Sequence, residues 1–271
     1  MIYLKSDIEI QKMRESAQIV SRTLGLVAKH LEPGVTTASL DRIAEEYIAS
    51  QGGRPAFKGY GSPKNPFPGT LCISINEEVV HGIPSESRVI QEGDLVSIDC
   101  GVEKNGYFGD HAFTFGVGEI SEENHHLLQT TLESLYLGID QAIHGNKMGD
   151  VSHAIQSHCE GHGYGVVRSL VGHGLGKSLH EEPSVPNFGK PGTGERLRDG
   201  LTLAIEPMVN AGTWKVETLH DGWTIVTADG SNSAHYEHDI VVRDGEADIL
   251  STFEYITELD KNQSVTIPTY G

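Results

Sequence analysis

The stretch from Val96 to Phe115, VSIDCGVEKNGYFGDHAFTF, places alternating apolar runs on both sides of Asn105-Gly106. That dipeptide favours a two-residue hairpin turn with positive φ, so Lys104 is expected to pair with Tyr107. The same register sets Gly101 opposite Asp110 and Asp99 opposite Ala112. Asp99 and Asp110 then share one sheet face as diagonal neighbours, with Cβ atoms on the order of 7 Å apart. Ile98, Phe113 and Phe115 flank them. Two carboxylates converging among apolar residues repel each other unless a cation sits between them. Either acid alone reads as a solvated surface residue. Together they read as ligands for a hard cation, and one could bridge the two ions of a dinuclear site, about 3.5–4 Å apart.

Working outward, the hairpin is preceded by LCISI at 71–75 and begins within GDLVSIDCGV at 93–102, both strand-like, with NEEVVHGIP at 76–84 expected to turn the chain between them. Before these, Ala17, Val20, Leu24, Val27 and Leu31 recur at helical spacing up to Pro33-Gly34. A second helix is expected from a Thr36 or Thr37 cap to Gly52-Gly53. Residues 54–70, RPAFKGYGSPKNPFPGT, are too rich in proline and glycine for regular structure and suit a pocket wall. After the hairpin come a helix over His125–Ile143, another from Gly149 with Asp150 as its expected cap, and strand-like runs at LTLAIEPMV, WTIVTA and YEHDIVV. Two helices then strands, twice over, suggest a duplicated α/β chain. The segment after Ser251 shows neither a ligand set nor a clear helical stripe.

Further acids sit in similar surroundings. Glu206 ends the apolar run LTLAI, and Glu237 directly precedes another, so each is costly unless paired or coordinated. His173 lies between Gly172 and Gly174, where the backbone can pass close to a site. His180 follows seven residues later in VGHGLGKSLHEEP, too far to share a helix face with His173. One can bind metal while the other faces a substrate. His81, in VVHGIP, is a third candidate, and the remaining histidines, His125 and His126 among them, are expected to be solvated.

The formal charge of −18 leaves little for a nucleic-acid backbone to grip. No stretch has the apolar length of a membrane span or the core of a signal peptide, so the chain reads as cytoplasmic. Cys72, Cys100 and Cys159 are odd in number and widely spaced, which argues for free cysteines rather than a disulfide scaffold or a thiolate zinc site.

Five motifs in order, CISINEEVVHGIP, SIDCG with YFGDHAFTF, VGHGLGKSLHEEP, AIEPMV and AHYEHDIVV, preceded by KSDIEIQKMRESAQIV, make the chain resemble the type I methionine aminopeptidases of the pita-bread metallopeptidase family. The similarity runs from about Ile2 to Asp244. It implies an α/β pita-bread fold, in which pseudo-twofold duplicated halves form a central curved antiparallel sheet covered by helices. It also implies one catalytic domain over residues 1–250 and a C-terminal tail, 251–271, of unassigned role.

By resemblance, Asp99 binds one of two divalent ions, Asp110 and Glu237 bridge both, and His173 and Glu206 bind the other. The implied ions are Mn, Fe, Co or Zn. The implied reaction removes the N-terminal methionine before a small second residue, through attack by a metal-bridging water or hydroxide. Glu206 is then the proton acceptor, while His180 and His81 contact the substrate. Phe57, Tyr60, Cys72, Leu179 and Trp223 are the implied substrate-pocket residues. Phe57 stands where many relatives carry a cysteine and Leu179 where an aromatic residue is common, which bears on side-chain preference. Nascent polypeptide N-termini are the implied partners, with transient ribosome association, no nucleic acid, no membrane and a monomeric state. No cysteine-rich extension for ribosome docking is apparent. Glu206 and Glu237 are only 31 residues apart, too close for the insertion of the type II enzymes. An Xaa-Pro aminopeptidase of the same fold is the alternative, and a metal-free peptide-binding relative is the alternative from another class.

Overall fold

Ser6 opens the first helix, α1 (Asp7–His30), and its backbone N–H donates to the Glu9 carboxylate at 2.9 Å. In the computed structural model, which describes residues 2–257 and 265–267, α1 is followed by α2 (Thr37–Ser50), capped by the Thr36 hydroxyl on Ser39 N–H. Val20, Leu24 and Val27 of α1 are wholly buried, each contributing about 1.5–3 kcal/mol relative to exposure. They pack on a sheet built from β1 (Leu71–Ile75), β3 (Leu95–Lys104) and β4 (Tyr107–Gly116), with Arg54–Pro55 paired along β3, so the 54–70 segment is not wholly without regular structure. Between β1 and β3 lies a short strand, β2 (Glu78–Val80), so the segment expected only to turn also pairs within a sheet.

The β3–β4 hairpin has the register the sequence dictates. Lys104 pairs with Tyr107, Gly101 with Asp110 and Asp99 with Ala112. Asn105 and Gly106 have φ of 54° and 78°, as the two-residue turn requires.

The second half repeats the order. Helices α3 (Glu122–Gln141) and α4 (Met148–Gly161) precede β5 (Val171–Gly174), β6 (Glu181–Pro186), β7 (Thr202–Ile205), β8 (Met208–Asn210), β9 (Ile225–Thr227), β10 (Ser233–His235) and β11 (His238–Val241). The α4 cap is Lys147 rather than Asp150. Asp150 sits three residues in and its carboxylate accepts from Lys147 N–H at 2.8 Å, so it does a cap's work from inside the first turn. Strands β6, β5, β7 and β11 form one sheet in that order, β8 pairs with β10, and β9 pairs with β2 of the first half. Every strand pairing among the described residues is antiparallel.

The two halves join along β4. Glu237 N–H donates to Ala112 O at 3.0 Å, His235 N–H to Thr114 Oγ1 at 2.8 Å, and Asp110 N–H to the Asp239 carboxylate at 2.7 Å. One apolar cluster spans both, from Ile98 and Phe113 to Leu203 and Ile240, and it includes Phe253 and Ile256 around the short helix α5 (Glu254–Thr257). The remainder of the 251–271 segment, apart from 265–267, lies outside the described residues. No helix among the described residues is long and apolar enough to cross a membrane. All three cysteines are free and buried.

Candidate metal centre and substrate pocket

Hairpin register brings Asp99 and Asp110 to one face, and the β4 junction brings Glu237 to meet them. His173, on β5, donates Nδ1–H to Gly174 O at 3.0 Å, which leaves the Nε2 lone pair facing the acids. That nitrogen lies 3.6 Å from Glu206 Oε1 and 3.9 Å from Asp110 Oδ2. Asp110, His173 and Glu237 offer three donor atoms within 4.8 Å of one another. Glu206, just beyond β7, is held through its carbonyl, which accepts from Asn187 Nδ2 at 2.9 Å. All five residues line one cavity of about 180 Å³.

Burial and mutual repulsion dominate the electrostatics. Burial pushes Asp99 up to about 7 and Glu206 up to about 8. Asp110 and Glu237 are raised well above the usual carboxylate range, first by burial and then by neighbouring acids. Burial pushes His173 down to about 3, so it is a neutral imidazole with a free lone pair. Asp99 Oδ1 and Glu237 Oε1 are buried with no hydrogen-bond partner. Buried carboxylate oxygens without partners are costly, and a divalent cation would supply the partner each lacks. Four carboxylates and one imidazole suit a divalent metal, so the donor set fits.

The cavity's other wall is apolar. Phe57, Phe67, Cys72 and Leu179 form a buried cluster with Trp223 against it. Trp223 packs edge-on to Phe67 at 5.3 Å and to His81 at 6.2 Å, and its Nε1–H donates to Asn65 O at 3.2 Å. The loop over 54–70 is therefore a seated pocket wall. His81 lies just past β2 with φ of 61° and is pushed down to about 4 by burial. His180 lies at the mouth, its Nδ1 2.5 Å from the Tyr60 hydroxyl and its ring 4.2 Å from that of His173.

The structure thus brings Asp99, Asp110, His173, Glu206 and Glu237 together and sets His81, His180, Phe57, Tyr60, Cys72, Leu179 and Trp223 around the same space. Three histidines expected to be solvated are buried: His111, His235 and His238. They lie in or beside interior strands, where the pleat turns them inward. His235 lines the cavity, its Nε2 3.7 Å from Glu206 Oε2. Its two-residue spacing from Glu237 was the available signal. Phe67, Val80, Leu170 and Met208 also line the cavity. Phe67 sits in a proline-rich loop, where no periodicity assigns a face.

Residues 11–244 match the profile of metallopeptidase family M24. The chain is 52% identical to the methionine aminopeptidase of Clostridium acetobutylicum over 94% of its length and all of that protein's. The crystal structure of methionine aminopeptidase from Thermotoga maritima superimposes with a TM-score of 0.90 at 45% identity, covering 93% of this chain and all of that one. The X-Pro aminopeptidase of Thermotoga maritima matches at a TM-score of 0.72 and 19% identity, covering 92% of this chain and 62% of that one, a likeness of fold alone.

Proposed function

The chain belongs to metallopeptidase family M24, with the pita-bread fold of its methionine aminopeptidases, and on that premise we propose how its pocket removes an N-terminal methionine. The carrying observation is the convergence of four carboxylates and one neutral imidazole at the end of an apolar cavity.

We assign the site two divalent ions, Mn, Fe, Co or Zn. Asp99 would hold one, His173 and Glu206 the other, and Asp110 and Glu237 both. When bound, the ions supply Lewis acidity and lower the pKa of the attacking water. Glu206, raised to about 8 by burial in the metal-free protein, accepts the proton of that water and returns it to the leaving amine. We place the Tyr60 hydroxyl as donor to His180 Nδ1, 2.5 Å away, so that the His180 proton sits on Nε2. That N–H then donates to the scissile carbonyl oxygen as negative charge develops there. His81 orients the peptide nitrogen. Phe57, Phe67, Cys72, Leu179 and Trp223 receive the methionine side chain, whose unbranched thioether suits an irregular apolar slot. The acidic end of the pocket favours a free α-amine, which limits removal to one residue.

The X-Pro aminopeptidase reading rests on fold likeness alone. The metal-free binding reading would need altered donor positions, and all five are intact. We propose a catalytic unit over residues 1–250, onto which the 251–271 segment is anchored through Phe253 and Ile256. We further propose a monomeric cytoplasmic enzyme that acts on nascent N-termini, with transient ribosome contact.

The test is release of free methionine from Met-Ala-Ser and Met-Leu-Ser by chelated protein, titrated with Mn²⁺, Fe²⁺, Co²⁺ and Zn²⁺ without oxygen. Metal-dependent release favouring the alanine peptide is expected. No release by protein that binds the metals would overturn the reading, and equal cleavage of Met-Ala and Leu-Ala peptides would overturn the methionine preference.

A further inference from the structure

Another group of histidines lies where α3 and α4 pack together, and none of them lines the catalytic cavity. His158 and His162 are four residues apart at the end of α4, so they share one helix face, the spacing at which paired histidines chelate a metal. His126, on α3, completes the group. The His158 and His162 ring centroids are 4.6 Å apart, and those of His126 and His162 are 5.3 Å apart. Two imidazoles bound to one ion at about 2.0–2.1 Å have centroids roughly 4.5–5.5 Å apart, so both separations suit a shared ion.

We propose that His126, His158 and His162, with Glu133, form a second site for a borderline divalent metal such as Zn²⁺, Ni²⁺ or Cu²⁺, joining α3 to α4.

The hydrogen bonds around the rings select the ligating nitrogens. His162 Nδ1–H donates to His158 O at 2.9 Å, which leaves the lone pair on Nε2. His126 Nδ1 lies 2.6 Å from the Tyr164 hydroxyl, and with Nδ1–H donating to that oxygen the lone pair falls on Nε2. His158 Nε2 is buried without a hydrogen bond and lies 3.2 Å from Glu133 Oε2. Two donors to one ion can stand at such a separation, and Glu133 is the carboxylate that balances its charge. The four donors do not yet close on a point. Among the described residues, only Asp110, His173 and Glu237 bring three donor atoms within 4.8 Å. His126 and His162 are exposed, and metal binding at this site requires their side chains to turn toward His158 and Glu133. An imidazole-rich site takes Ni²⁺, Cu²⁺ and Zn²⁺ in preference to Mn²⁺, whereas the catalytic cavity is rich in carboxylates, so the two sites differ in metal preference.

The experiment is calorimetric titration of the chelated full-length chain with Ni²⁺, beside His162→Ala and His126→Ala. The wild type should take up one more equivalent than His162→Ala, and in His126→Ala the affinity of that equivalent should fall at least about tenfold. Peptidase activity with Mn²⁺ should be the same in all three, which reports an intact fold and catalytic cavity. Equal stoichiometry and affinity in the three proteins would overturn the site, whether or not the peptidase reading stands. Should His162→Ala fail to fold, the exposed His126→Ala decides alone.

Discussion

Glu206 has no neutral substitute that keeps its chemistry. Glu206→Gln preserves shape while removing the proton acceptor and one negative charge, and kcat should fall by at least ~10²-fold. Turnover near wild type, at verified metal content, would remove Glu206 from its assigned role. Tyr60 acts at one remove, through its bond to His180 Nδ1. Tyr60→Phe keeps the ring and loses that bond, so kcat should fall about tenfold, the equivalent of one hydrogen bond, with KM little changed. A raised KM at constant kcat would instead make Tyr60 a pocket wall. The acids were legible because charge inside an apolar strand is anomalous on its face, and His173 because glycines flank it. His235 had only its two-residue spacing from Glu237 to mark it, and a histidine near a strand end otherwise looks the same whether it faces solvent or a cavity. Its inward direction follows from the pairing of β10 with β8.

At the scale of elements, the hairpin and its contact with α1 set the floor of the site. Gly109 lies on β4 where α1 crosses it, and a Cβ there would meet Ala17 N at 2.4 Å and Ala17 Cα at 2.7 Å. Both are helix backbone and cannot swing aside. Gly109→Ala should therefore destabilise the protein by about 2–3 kcal/mol, read as a Tm lowered by roughly 4–12 °C. Gly161, at the end of α4, is the control. Nothing lies within 4 Å of its would-be Cβ, and Gly161→Ala should be neutral or stabilising by up to about 1 kcal/mol. An equal loss in both would show that the close approach at Gly109 does not set its cost. The helices were legible from their apolar spacing and the hairpin from Asn105-Gly106. The Lys147 start of α4 was not, because Asp150 serves as well three residues inside a helix as at its cap.

At the scale of the molecule, the metal-free site should make stability depend on pH. Asp99 and Glu206 titrate near 7 and 8 in the folded chain, so it retains protons that the unfolded chain has released above about 4.5. Stability then falls as pH rises until those folded values are passed. The buried histidines act oppositely, since His81 and His111 are pushed down to about 4 and His173 to about 3 by burial. They lower stability as pH drops below about 6.5, where the unfolded chain takes up protons they refuse. Between pH 6.5 and 8 only the acids' contribution remains. Chelated protein should lose Tm across that window, while saturating Mn²⁺ should flatten the loss and release protons on binding. A flat profile without metal would mean that the acids are not held protonated in the folded chain. The sequence by itself determined the turn, the shared face of Asp99 and Asp110, the helical periods and the five candidate donors, because each depends on spacing along one or two neighbouring segments. The tertiary structure decided that Glu237 reaches the hairpin across the β4 junction, that Phe67 and His235 face the cavity, and that Phe253 closes the core. Those depend on contacts between segments more than a hundred residues apart or on loops without a period, and a local pattern cannot encode the direction in which such residues meet.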